Sequence, residues 1–529
     1  MSNALSTRIG SKTFYLFFLL FCFLAVGLIF ASGIQIASSK SNDEQKPLFA
    51  EQGLVPDNFL SSSTQNPSPT PTPEILHTLV GSYYLTDENI DAKLLLNNKG
   101  NAQLVVRPTL YNKQGQELQM PYVTVEPQSF RFININDWAS LGGDSFKSGN
   151  IKLLHYGKDL VLGAQMYLTD DARSLSFEEK FVELGKFDSR KQEAVWWMPS
   201  NDADVRVVLT NTTDSPLTVT GRLAKKPNHV SDPRTLELAP HSTRAIDLRE
   251  AFPGSESFFN SDVVALSLEH SGVKYALIGR VMVYEKSKGF SNVVQFSNPD
   301  GGKSSEYQGV GFQIENISGN QMTPVIVARN VGTATATVTA KVPYTRSDGT
   351  RGNITLLPER LSSGEMRAFN VQRIIQRVSQ EQIKVASLEV TYDTAPGSVI
   401  VAAHSVSNDH NQVFRVPMWD PLGQSSPTGG YPWRIEGTSV TETYIKNITD
   451  VEEDYVAFLV WENSGMYMIG LKSIKPHETV QIDLKRLRDE QIPDERGQTI
   501  PMYISSGQFH WTLHRKDNLP RTMREQTWH

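Results

Sequence analysis

LLLNNKGNAQLVV from Leu94, VVLTNTTDSPLTV from Val207, VIVARNVGTATATV from Val325 and TYIKNITDVEEDYV from Thr443 are one pattern written four times. Each is an apolar stretch, an Asn-centred turn and then an alternating run. Aligning Asn98, Asn211, Asn330 and Asn447 gives spacings of 113, 119 and 117 residues. A period of that length predicts units that each close their own core, unlike the shorter repeats of solenoids and propellers. Two further marks keep step with the Asn. Tyr84, Trp197 and Trp433 each precede it by 14 residues and Phe312 by 18, while Pro127, Pro240, Ser363 and Pro476 each fall 7 residues before Asn134, Asp247, Asn370 and Asp483.

Within a copy the periodicity is that of strands. Val205-Arg-Val-Val-Leu209, Leu217-Thr-Val-Thr-Gly221 and Ala265-Leu-Ser-Leu-Glu269 alternate or run apolar over short lengths rich in β-branched residues. Turn clusters such as Thr212-Thr-Asp-Ser215, Ser347-Asp-Gly349 and Lys113-Gln-Gly115 separate them. About seven short strands in each copy is the pattern of an immunoglobulin-like sandwich. The expected fold is therefore all-β, with four tandem antiparallel β-sandwiches at 76–188, 189–300, 306–421 and 430–529, the completeness of the last left open. Short connections at 184–191, 301–305 and 423–430 suggest beads on a string with restrained orientations.

The N-terminus speaks to location. Phe14 to Ala31 is 18 residues without a charge, and Gly33, Ile34 and Ile36 extend it. That is near the ~20 residues a membrane span needs and longer than most signal-peptide apolar regions. Arg8 and Lys12 precede it, so residues 1–36 are expected to be a signal-anchor helix with a cytoplasmic N-terminus. Cleavage and secretion is the alternative, since Ala31-Ser-Gly33 and Ala37-Ser-Ser39 are tolerable small-residue sites. Residues 37–75 read as a Pro/Ser/Thr-rich stalk, with Pro67, Pro69, Pro71 and Pro73 favouring extended polyproline II. Either reading exports the repeats to the periplasm or outside.

Composition narrows the chemistry. The 529 residues are 39% hydrophobic and 20% charged with net charge -6, which speaks against nucleic acid as a partner. The single cysteine, Cys22, lies inside the apolar run, so a disulfide framework, a Cys-based zinc site and a cysteine nucleophile have no residues to build them in the repeats. His510-Trp-Thr-Leu-His514 has metal-like spacing only on a helix; on a strand its two rings lie about 13 Å apart. No catalytic, cofactor or metal site is expected, and no nucleophile or phosphate-loop motif is found. The recurring Asn134, Asp247, Asn370 and Asp483 are read as helix N-caps, with Asp247-Leu-Arg-Glu250 as a capping box. The four aligned Asn are read as turn residues. Asn211, Asn316, Asn353 and Asn447 also head glycosylation sequons.

Two binding candidates remain. The aromatics that open the repeats, Tyr84, Trp196, Trp197 and Trp433 in particular, could stack on sugar rings or plug the sandwich ends. The basic stretch from His514 to His529 replaces the closing strands of the other copies and could leave a sheet edge open to another chain.

The order of apolar strand, Asn turn, alternating strand and L-x-P segment resembles tandem Ig-like ectodomains of bacterial surface proteins. It is similar to the cell-adhesion-related domains called CARDB, with Asn330-Val-Gly332 and Leu238-Ala-Pro240 as the nearest matches. His241 and His477 stand where that pattern has Gly after Pro. The resemblance spans about residues 80 to 529 and implies envelope display and adhesion; it transfers no functional residue. The expected function is thus a non-catalytic interaction or structural role at the cell envelope, with the membrane and an unknown protein or glycan as partners. Carbohydrate binding through the repeat-start aromatics and assembly through the C-terminal edge are the alternatives.

Overall fold

The computed structural model describes residues 75–529, apart from 88, 101, 159–160, 171, 174, 186–188, 226–228, 313, 315–320, 382, 411, 423–427, 437–438, 462–464, 515–522 and 529. The expected anchor and stalk lie outside the described residues, among which no helix is long and apolar enough to cross a membrane.

The described chain is all-β and antiparallel, and one strand order recurs along it. In the first stretch, Ile75–Leu85, Ser148–Gly157 and Leu104–Asn112 lie side by side in one sheet. Ser129–Asn134, Asp91–Asn98, Leu162–Asp170 and Leu175–Lys180 form the other. The second stretch repeats this order with Lys191–Trp197, Val263–His270 and Leu217–Lys225 against Thr243–Asp247, Asp204–Asn211, Leu277–Glu285 and Phe290–Gln295. The third does so with Glu306–Phe312, Ile383–Tyr392 and Ala336–Arg346 against Met366–Ala368, Met322–Asn330, Val399–Ser407 and Val413–Val416. Immunoglobulin sheets place the first strand beside the second and the last beside the sixth. Here the two are exchanged: Ile75–Leu85 pairs with Ser148–Gly157, and Leu162–Asp170 pairs with Asp91–Asn98.

Alternation drives the packing. In Asp91–Asn98, Leu94 and Leu96 point into a core shared by both sheets with Leu110, Ile151 and Met166. Leu95 and Asn97 point the other way, out of the sandwich. Equivalent cores form around Trp196 and Phe259, around Phe312 and Leu388, and around Trp433 and Tyr455.

The C-terminal stretch, offered by the sequence as one way to leave a sheet edge open, itself supplies a strand. Met523–Trp528 pairs with Glu442–Asn447, placing Met523 opposite Asn447 as Leu277 lies opposite Asn211. What this sheet lacks among the described residues is the outer fourth strand; it has three strands where its three counterparts have four.

The caps behave as short polar side chains should at a strand-to-helix corner. Asn134, Asp247 and Asp483 accept backbone N–H bonds at the starts of helices Ile135–Leu141, Leu248–Ala251 and Leu484–Asp489. In the third copy the helix Gln372–Glu381 begins two residues after Asn370. The cap reading of Asn370 places a helix start here, and the helix runs ten residues where the sequence suggested only a short piece.

The position after the aligned Pro or Ser is left-handed in every copy: Gln128 has φ 49°, His241 53°, Gly364 76° and His477 56°. Glycine adopts this conformation at no steric cost, and only the third copy has it here. His241 draws compensation from a hydrogen bond with Asp214 at 2.6 Å and from stacking on Tyr111 at 4.6 Å. Gln128 is exposed. Gln128→Gly is expected to stabilise the protein by about 0.5 kcal/mol, the relief of left-handed strain less the extra entropy of an unfolded glycine. A urea titration checks this, and an unchanged or lowered midpoint refutes the assignment of strain.

Candidate functional site

The sequence-selected aromatics are placed first. Tyr84, Trp196 and Trp433 are 0%, 0% and 1% exposed, so none offers a ring face to a sugar. Trp196 donates its indole N–H toward the Met198 sulfur at 3.3 Å. Trp197 is half-buried and packs edge-on against Phe290 and His410, closing a seam between the second and third repeats. The rings fill cores and seams because a first strand enters its sandwich at the end where the sheets need a large plug. Among the sequons, Asn211 and Asn447 are fully buried with their amides engaged, Asn353 is exposed, and Asn316 lies outside the described residues.

His510 is on strand Ser506–His514, largely buried and stacked on Phe458. Burial holds its imidazole down at about 4. No group of His, Cys, Asp or Glu suited to a metal occurs among the described residues.

The structure concentrates buried polar chemistry elsewhere, at the residue just before each aligned Asn. Asn97, Thr210, Arg329 and Lys446 are 4%, 0%, 7% and 0% exposed. All four occupy the same outward position on the second strand of their repeat, and each reaches a different repeat. Thr210 Oγ1 donates to the Ser82 carbonyl at 2.6 Å. Arg329 Nη1 meets Glu193 Oε2 at 2.6 Å and Ser267 Oγ at 3.2 Å. Lys446 Nζ meets Glu389 Oε1 at 3.1 Å. Asn97 Nδ2 donates to the Gly430 carbonyl at 3.3 Å, and Asn97 Oδ1 accepts from Gln508 Nε2 at 3.2 Å. Repeat two thus grips one, three grips two, four grips three, and one grips four. The contacts close a cycle, where the short linkers had suggested separate beads.

Electrostatics are strongest between the third and fourth repeats. Burial lowers the Lys446 pKa, and the Glu389 carboxylate works against that. Burial alone would raise Glu389; the His477 hydrogen bond and the Lys446 charge outweigh it and hold the carboxyl down to about 2. His477 bridges Glu389 at 3.1 Å and Asp450 at 2.9 Å, which pushes its imidazole up to about 9. Between the second and third repeats burial raises Glu193 and lowers Arg329, each pulled back by its partner. A cleft of about 440 Å³ opens beside the His477 joint, lined by Lys341, Tyr344, Arg351 and Glu478 among others.

Sequence reasoning missed these joint residues, yet a signal was present. Asn, Thr, Arg and Lys each interrupt an apolar strand at one aligned position, and a charge there needs a buried partner.

No protein-family model, curated protein or solved structure matches the chain. The geometry therefore stands without a relative to borrow residues from. It defines an all-β protein of packed sandwiches with buried ion pairs at two of its joints, Glu193 with Arg329 and Glu389 with Lys446.

Proposed function

We propose that this chain is an exported, membrane-anchored protein with four immunoglobulin-like sandwiches and a non-catalytic interaction or structural role at the cell envelope. The observation that carries the reading is the destination of its buried polar groups. Strongly perturbed titratable residues mark active sites as a class. In this chain Glu193, Arg329, Glu389, Lys446 and His477 each have an ion-pair partner, and every one of these pairings but the bond from His477 to Asp450 crosses a joint. Their energy goes into fixing the relative orientation of repeats, which suits a rigid display or spacer surface. The uncharged run Phe14 to Ala31 supports anchoring, with the CARDB-like pattern as support for display.

A second reading is assembly through the C-terminal sheet, which among the described residues has three strands where its counterparts have four. The test of the main reading is topological. In cells expressing the full chain, the protein should stay with membranes through an alkaline carbonate wash. Protease added outside spheroplasts should digest the repeats and spare an N-terminal tag. Release by carbonate together with protection of the repeats overturns the proposal.

A further inference from the structure

The joint that closes the cycle differs from the other three in how it is held. Between repeats one and two, Val208, Tyr284 and Val293 enter the first core. Between two and three, Val195, Val263 and Ala265 pack on Val327, Met366 and Ile400. Between three and four, Tyr444 enters the third core. The closing joint contributes to no such cluster among the described residues. Its contacts are polar, among them the two Asn97 hydrogen bonds, Tyr431 donating to Gln165 Oε1 at 2.5 Å and to Glu178 Oε1 at 3.3 Å, and Lys180 over the Tyr431 ring at 5.4 Å. A cavity of about 270 Å³ remains in it between Leu79, Leu95, Phe181, Tyr431 and Pro432.

The face that the first repeat presents here also breaks the pattern. Leu95 lies opposite Phe132 across its strand pair, as Val208 lies opposite Ala245, Val327 opposite Ala368 and Tyr444 opposite Gln481. Only the first copy has a large aromatic at that position, and Phe132 is 47% exposed, edge-on to Phe130. An apolar face that its own fourth repeat covers incompletely is continuous with an interface that already exists.

Joints in which one surface grips a different surface of the next unit are heterologous, and such contacts close into rings or run on between copies by the same geometry. We propose that the fourth-to-first joint is exchangeable, so that the outer face of the first repeat takes the fourth repeat of a second copy of this chain. Closure within one chain is favoured by the local concentration of the tethered repeat, so exchange grows with protein concentration. This inference is independent of where the chain resides.

The test uses the full chain in detergent with Cys22→Ser, which leaves no native thiol. One population carries Asn97→Cys and the other Gln508→Cys, at side chains that meet at 3.2 Å. Mixed with a short homobifunctional thiol crosslinker that spans the space the two amides vacate, the two should form a covalently linked dimer whose yield rises with concentration. A chain carrying both cysteines should close on itself when dilute. Internal closure with no dimer from the mixture, up to the ~mM range of effective concentration, overturns exchange. Failure of the double-cysteine chain to close overturns the joint itself. Sedimentation of the Cys22→Ser chain without introduced cysteines should show the same concentration-dependent association, and a monomer throughout refutes the proposal without relying on any joint substitution.

Discussion

Asn211→Ala is expected to destabilise the second repeat by about 3–5 kcal/mol, several buried hydrogen bonds lost at once with the groups left unpaired. The side chain is fully buried. Its Nδ2 donates to the carbonyls of Ser215 at 2.7 Å, Ala239 at 3.0 Å and Leu238 at 3.4 Å. Its Oδ1 accepts from the Thr213 N–H at 3.0 Å and the Thr213 hydroxyl at 2.8 Å. One amide therefore closes the turn after its strand and ties that turn to the chain 27 and 28 residues on. Asn98 does the same with Ala102, Val125 and Glu126, and Asn447 with Val451 and Ile474. Asn330 bonds Ala334 and Leu361. Alanine leaves those carbonyls in a dry interior. Aspartate keeps the acceptor, loses the donors and sets a carboxylate against carbonyl oxygens, so Asn211→Asp should be worse still. Denaturant unfolding of the three proteins orders them Asn, Ala, Asp. A cost below about 1 kcal/mol for Asn211→Ala would mean the amide merely occupies its turn.

This residue also shows what was legible in the sequence. A recurring Asn after an apolar strand reads as a turn, and the turn is there. The bonds to positions 27 or 28 residues away are not local, so no turn rule can announce them; they appear only when the second strand and the L-x-P strand are brought together. The aromatic candidates show the converse. Tyr84 and Trp433 were visible as a pattern, but a sequence does not say which side of a first strand faces the core, and the structure turns both inward. The exchange of first and last strands between sheets was likewise out of reach, since either order presents the same alternation to the reader. Met523–Trp528 is the instructive case. Its Met-Arg-Glu-Gln-Thr-Trp run looks too polar for a strand, yet it completes the pairing of Glu442–Asn447.

The largest electrostatic effect is expected at Glu389. Glu389→Gln removes the carboxylate that pairs with Lys446, whose side chain is 0% exposed, and leaves the buried ammonium with only the weaker influence of Glu306. Breaking one partner of a buried pair costs about 3–5 kcal/mol, whereas replacing both by apolar groups of similar volume is often neutral or stabilising. Lys446→Met with Glu389→Leu should therefore be less costly than Glu389→Gln alone, and a double-variant cost equal to or above the single one would show that the pair stabilises the joint outright. The pH dependence follows from the same groups. His477 is raised from 6.5 to about 9, so its contribution is full below pH 6.5 and is lost as the pH rises through about 9. Glu389 is lowered from 4.5 to about 2, so its contribution is full above pH 4.5 and is lost as the pH falls toward about 2. The joint between the third and fourth repeats should be tightest between these limits and loosen on both sides. Protection factors for amide exchange across the third and fourth repeats, which divide out the intrinsic pH dependence of exchange, report the loosening. Protection that stays flat from pH 6 to 10 would remove His477 from the account. With His477→Gln the alkaline loss should vanish while the acid loss persists, because Glu389 keeps Lys446.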